Sequence, residues 1–262
     1  MRIKALFFDI DGTLVSFQTH RIPASTIEAL EKAKANNIRI FISTGRPISI
    51  ITNLTPIQSL IDGYITANGA YCFTSQHTIS IHPMDKSDVI RMIEDANERD
   101  YPVIIAGERT LVIHNRKPIV DDIFSSYLHV TNIDYSKTFH DVEGEHILQL
   151  TAFVNKQQEQ AIASQMPHSS FTRWHPLFAD IIHRNISKAN GLEEIAKALD
   201  LRLEETMAFG DGGNDIPILH KAGIGVAMGN ASDDVKAQAD YITTSVDEDG
   251  VWNALRHFNL IP

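Results

Sequence analysis

Three short, mainly apolar runs, Ala5 to Phe8, Ile38 to Ile42 and Thr206 to Phe209, each break off into a turn of small, polar or charged residues. Apolar character without polar alternation marks a strand covered on both faces. Such strands belong to parallel sheets, whose crossover connections are usually helices. The intervening segments supply these. Pro23 to Asn36 is expected to be a helix, with Ser25 and Thr26 as cap candidates. Lys188 to Leu199 carries Leu192, Ile195 and Leu199 on one stripe, and helices are expected again at Asp215 to Ala222 and Ser232 to Gln238. Further strands fall at Ile224 to Met228 and Tyr241 to Thr243. Tyr64-Ile65-Thr66 leads through Asn68-Gly69, a two-residue hairpin signal, into Tyr71-Cys72-Phe73.

The middle of the chain has a different rhythm. Asp85 to Arg99 reads as a helix with Val89, Ile90 and Ile93 facing one way. Strands follow at Val103 to Ala106 and Leu111 to His114, and a helix near Pro118 to Leu128. Then come a strand at Ile147 to Val154, a helix at Gln157 to Met166, and strands at Phe171 to Trp174 and Phe178 to Ile182. Paired strands between helices suit an α+β unit with a largely antiparallel sheet. The expected architecture is an α/β, Rossmann-like parallel-sheet domain from residues 1–82 and 184–262, with residues 83–183 inserted as an α+β domain.

Composition narrows the function classes. Of 262 residues, 23 are Lys or Arg and 33 are Asp or Glu, a formal net charge of −10. Such a chain has no sequence-wide field for a nucleic-acid backbone or an anionic membrane, so neither partner is expected. The single cysteine, Cys72, excludes an intrachain disulfide and points to a reducing compartment. The apolar run at Ala5 stops at Asp9, too short for a signal-peptide core or a bilayer span. A cytoplasmic monomer is expected.

The chemistry sits in the turns. Phe8-Asp9-Ile10-Asp11-Gly12-Thr13 places two carboxylates just beyond a buried strand, which is costly unless something compensates them. A divalent cation would do so. Thr44-Gly45-Arg46 combines a hydroxyl, a bare backbone and a cation, suited to phosphate oxygens. Gly210-Asp211-Gly212-Gly213-Asn214-Asp215 adds two carboxylates and an amide before a helix. Each turn alone is commonplace; four carboxylates at strand ends make an oxygen-rich site for Mg2+.

Asp9-Ile10-Asp11-Gly12-Thr13-Leu14, Ser43-Thr44-Gly45-Arg46-Pro47, Lys188 and Gly210 to Asp215 together resemble the four motifs of the haloacid dehalogenase-like phosphatases. The likeness covers the whole chain and is strongest to the Cof-type branch, whose C2B cap lies between the second and third motifs, and within it to hexose-phosphate phosphatases. The resemblance implies an Mg2+-dependent phosphatase of small phosphorylated metabolites, sugar phosphates foremost, working through an aspartyl-phosphate. Asp9 is then the nucleophile and Asp11 the general acid and base. Thr44, Gly45, Arg46, Lys188 and Asn214 bind phosphate, Asn214 otherwise orienting Lys188. Asp9, the Asp11 carbonyl and Asp211 hold the metal, with Asp215 behind them. Two other functions fit the same motifs: a phosphosugar mutase using the same intermediate, and a phosphometabolite-binding regulator without turnover, against which the intact motifs count. Arg173, Trp174, His175 and Phe178 are candidates for substrate contact, with a packing role between cap and core as the alternative for Trp174 and Phe178.

Overall fold

The computed structural model describes residues 2–130 and 132–262. In chain order it begins with β1 (Ala5–Phe8), α1 (Ala24–Ala35), β2 (Arg39–Ser43), β3 (Gly63–Thr66), β4 (Tyr71–Thr74) and β5 (Thr78–Ile81). The middle comprises α2 (Lys86–Arg99), β6 (Val103–Ala106), β7 (Leu111–His114), α3 (Pro118–Val120), β8 (Gln149–Ala152), α4 (Lys156–Ala163), β9 (Ser169–His175) and β10 (Phe178–His183). The chain then runs through α5 (Lys188–Ala198), β11 (Thr206–Gly210), α6 (Ile216–Lys221), β12 (Ile224–Ala227), α7 (Asp233–Lys236), β13 (Tyr241–Ile242) and α8 (Gly250–His257).

Two compact units result: Met1–Gly45, Asn53–Ser80 and Ser187–Pro262 form the first, Arg46–Thr52 and Ile81–Ile186 the second. The first is built on a sheet of order β13-β12-β11-β1-β2-β3-β4-β5. Its strands pair in parallel from β13 to β3, and β4 turns back antiparallel on β3. Phe7 stacks on Phe41 and Phe8 on Phe209, so the central strands are filled on both faces, as their unbroken apolar sequence requires. Successive strands run outward from β1 in one direction and from β11 in the other. That reversal makes the carboxyl ends of β1 and β11 a topological switch point, where open α/β sheets bind their ligands.

The second unit has an antiparallel sheet of order β7-β6-β8-β10-β9. Apolar clusters cover it: Val89, Met92 and Ala96 of α2 join Val103, Leu150 and Ile181, while Ile50, Phe124, Phe153 and Phe178 belong to another. The chain is thus α/β, with an α+β insertion in a mainly parallel-sheet unit.

Several local expectations change. Ile90 is exposed, because the buried stripe of α2 runs Val89, Met92, Ala96 and is completed by Asp88 and Asp95. Neither Ser25 nor Thr26 caps α1; Pro23 takes that place, and Ser25 Oγ donates to Asp249 instead. The Pro118 to Leu128 helix is one α-turn continued as a π-helix over Asp121–Tyr127. The β3–β4 connection is Ala67 to Ala70 rather than two residues, with Thr66 opposite Tyr71. β5 and α8 lay outside the sequence reading. Arg46–Thr52, expected with the parallel-sheet unit, falls in the second: Ile50 packs with Phe124 and Phe178, and Arg46 donates to the Ile50 and Leu128 carbonyls.

Candidate active site

The β1 backbone hands its last hydrogen bond across the switch point, Asp9 N–H to Phe209 O at 3.1 Å. Asp9 therefore emerges beside the end of β11, and Asp211 lies just past that strand. Behind Asp9 the chain folds back at once, with Leu14 and Val15 N–H donating to Ile10 O. Gly12 has φ 85°, and a Cβ there would stand 2.1 Å from Asp211 Oδ2, so the turn needs glycine both for its backbone and for the approach of that carboxylate.

Lys188 opens α5 and is fully buried. Gly191 lets this helix sit close on β3; a Cβ there would lie 2.5 Å from Ile65. A cation at a helix N-terminus opposes the macrodipole, so the lysine needs anionic partners. It has two: Nζ donates to Asp9 Oδ1 and to Asp215 Oδ1, each at 2.6 Å. Burial works against its charge, but the Asp215 and Asp9 carboxylates outweigh this and hold its pKa above the ordinary lysine value. Asp215 Oδ2 accepts from the Asp211 and Gly212 amides, so both oxygens of Asp215 are committed.

Asp9, Asp211 and Asp215 each bring a carboxylate oxygen within 4.8 Å of the others. Three carboxylates face one lysine, an excess of two negative charges in a largely buried place. Burial pushes the Asp9 carboxyl up to about 7, with Lys188 pulling down and Asp215 and Asp11 pushing further up. Burial, with Asp9 and Asp215 adding, carries Asp211 to about 8. Such an excess matches a divalent, oxygen-preferring cation, which would replace the protons these groups otherwise keep. With Asp215 committed to Lys188 and backbone amides, Asp9 and Asp211 are the carboxylates suited to holding it.

The remaining expected residues are placed as follows. Asp11 lies half-buried, bridged to Val15 in the same turn, outside the trio, although its charge is felt at Asp9. Thr44 is buried beyond β2, its N–H donating to Ile65 O and its carbonyl accepting from Asn68 N–H. Gly45 is bare where a Cβ would meet the Asn68 amide at 3.2 Å and Asn214 Nδ2 at 3.4 Å. These belong to the first unit with Lys188, Asp211, Asn214 and Asp215, whereas the guanidinium of Arg46 makes its hydrogen bonds to carbonyls of the second. Arg173 is engaged by Glu159 and by the Val154, His175 and Pro176 carbonyls, and Phe178 lies in an aromatic cluster. The side chain of Trp174 lies outside the described residues.

Three residues join the site that the sequence reading gave no role. Thr13 Oγ1 donates to Asp211 Oδ1 at 3.0 Å. Asn230 Nδ2 donates to Gly12 O at 2.9 Å and to Asp211 Oδ2 at 3.3 Å. Asn68 Oδ1 accepts from Asn214 Nδ2 at 2.9 Å. In the sequence Thr13 stands inside the first acidic turn, and Asn68 is marked only as a turn residue.

The model of one protein family, haloacid dehalogenase-like hydrolase, matches residues 6–255. The chain belongs to that family. Among solved structures, this hydrolase superposes on the subclass IIB sugar phosphatase BT4131 with a TM-score of 0.92 at 46% identity, over 98% of its length and 100% of that chain. It matches BT1666 of Bacteroides thetaiotaomicron, a phosphatase of the same superfamily, with a TM-score of 0.88 at 37% identity, over 99% and 96%. The 5-amino-6-(5-phospho-D-ribitylamino)uracil phosphatase YcsE of Bacillus subtilis (strain 168) is 30% identical over 98% of the hydrolase and 96% of its own length. The hydrolase is a phosphatase acting on small phosphorylated substrates, with the parallel-sheet core and inserted cap of its family. No helix among the described residues is long and apolar enough to cross a membrane.

Proposed function

We propose that the hydrolase is an Mg2+-dependent phosphatase of sugar phosphates, hexose phosphates foremost, in which residues 1–82 and 184–262 carry the catalytic residues and the insertion serves as the cap. It acts in the cytoplasm as a monomer. The observation that carries this reading is Lys188 held between Asp9 and Asp215, beside Asp211. Lysine on Oδ1 fixes the rotation of the Asp9 carboxylate, a prerequisite for in-line attack. Asp9 attacks phosphorus while Asp11 gives a proton to the leaving alcohol oxygen. Asp11 then takes a proton from water, which attacks the aspartyl-phosphate, releases inorganic phosphate and restores Asp9. Thr44, the Gly45 backbone, Lys188 and Asn214 hold the phosphoryl oxygens.

Asp9 and Asp211, with the Asp11 carbonyl, would hold Mg2+. When bound, it supplies positive charge that offsets the repulsion between the phosphate and the attacking carboxylate. Identity of 46% to a sugar phosphatase across both chains supports the substrate class. A panel of hexose, pentose and phosphoribityl esters, assayed for phosphate release with EDTA and then with Mg2+, tests the reading. Activity confined to Mg2+ and greatest on hexose phosphates is expected. Undiminished turnover after chelation refutes the metal, and isomerised sugar phosphate without phosphate release refutes hydrolysis.

A further inference from the structure

Asn68 departs from what a turn residue needs. It has φ 54°, in the left-handed region that asparagine tolerates better than most residues. Yet it is 3% exposed, whereas turn asparagines are ordinarily wet. Its backbone N–H donates to Thr44 O at 3.0 Å, and its side-chain oxygen accepts from Asn214 Nδ2 at 2.9 Å. Its own Nδ2 is buried with no hydrogen-bond partner among the described residues. Burying an amide donor unsatisfied is unfavourable, and such groups in native structures call for an explanation. The amide lies against the bare face of Gly45, within 3.2 Å of where a Cβ would be.

We propose that Asn68 is a positioning residue for phosphate binding, acting through Asn214. One short residue on the β3–β4 turn touches both halves of the phosphate-holding set. Its backbone fixes the Thr44 carbonyl, and its side chain fixes the rotation of the Asn214 amide over Gly45. Asn214 can turn about its side-chain torsions, and a single acceptor from the facing turn removes that freedom before an anion arrives. The uncompensated Nδ2 is the cost of presenting Oδ1 to Asn214. The proposal rests on the reading of Asn214 as a phosphate holder.

A double-mutant cycle tests it, with p-nitrophenyl phosphate as substrate and inorganic phosphate as competitive inhibitor. Asn68→Gly keeps the left-handed backbone at ease while deleting the side chain. Asn214→Ala alone should raise KM and the phosphate inhibition constant about tenfold, with a smaller change in kcat. In the Asn68→Gly background the same substitution should add less than about twofold, because the pair acts as a unit. Asn68→Asp keeps the accepting oxygen, so there Asn214→Ala should retain its full penalty. This second variant also decides the matter if the glycine variant fails to fold. Additive penalties overturn the proposal, as does loss of the Asn214 penalty in the Asn68→Asp background. An Asn214→Ala enzyme with unchanged KM overturns the reading of Asn214 and this proposal with it, which separates the two failures. A merely structural Asn68 would lower the unfolding temperature and leave KM unmoved.

Discussion

Buried carboxylates occur in both units, but they are matched differently. In the second unit Asp88 accepts from Ser169 Oγ and His168 N–H, Asp180 from Thr151 Oγ1, and Asp95 pairs with Tyr101, Arg99 and Arg91. Each sits with hydroxyl, amide or guanidinium donors that stabilise its own charge or its hydrogen bonds. In the first unit Asp9, Asp211 and Asp215 crowd together around one lysine. Sheet pairing and core packing do not require that surplus; burial, with the neighbouring carboxylates adding to it, raises two carboxyls to about 7 and about 8. The contrast teaches that burial of charge identifies nothing by itself, whereas an uncompensated excess at a strand end marks the chemistry.

The largest test of the contrast is Asp9→Asn. It keeps the shape and loses the attacking charge, so kcat should fall by at least about 10^3, or ~4 kcal/mol of transition-state stabilisation. Retention of a tenth of the wild-type kcat would break the assignment.

Removing a partner on each side sharpens it. Lys188→Met strands two buried carboxylates and should cost about 3 kcal/mol of stability at neutral pH, measured by urea unfolding. Asp88→Asn, its counterpart in the second unit, should cost about 1 kcal/mol by weakening the Ser169 and His168 hydrogen bonds, with kcat unchanged. Equal losses of stability in the two variants would contradict the difference drawn between the regions.

The smallest effect is on pH dependence. The Asp9 and Asp211 pKa values lie above the ordinary 3.8, so between about pH 4 and pH 8 the folded, metal-free protein keeps protons that the unfolded chain releases. Their contribution to stability is therefore fully present at the acid end and is lost as pH rises through 7 to 8. A divalent cation competes with those protons, so the rise in Tm on adding Mg2+ should be larger at about pH 8 than at about pH 6. A rise independent of pH would place the cation elsewhere.

Much of this site was legible in linear order. Asp9, Asp211 and Asp215 stand out because each lies where a buried strand ends or a helix begins, and apolar periodicity marks those boundaries; Lys188 is singled out only by the resemblance to the family's motifs. Asn68 was legible only as punctuation, since its role depends on Asn214, 146 positions away in sequence. Arg46 adjoins Thr44 and Gly45 in sequence, but it belongs to the second unit and its guanidinium donates to the Ile50 and Leu128 carbonyls there, a placement no local pattern encodes. Ile90 falls off the buried face because adjacent helical residues point about 100° apart, so it cannot share the Val89, Met92, Ala96 stripe.

The sequence by itself determined the class of fold and the acidic strand ends, because these follow from local apolar pattern and from the cost of burying charge. Tertiary structure decided which groups share a lysine, which amide Asn68 holds and to which unit Arg46–Thr52 belongs. Those are settled by packing and by hydrogen-bond partners drawn from distant segments, and no local pattern encodes a partner's position.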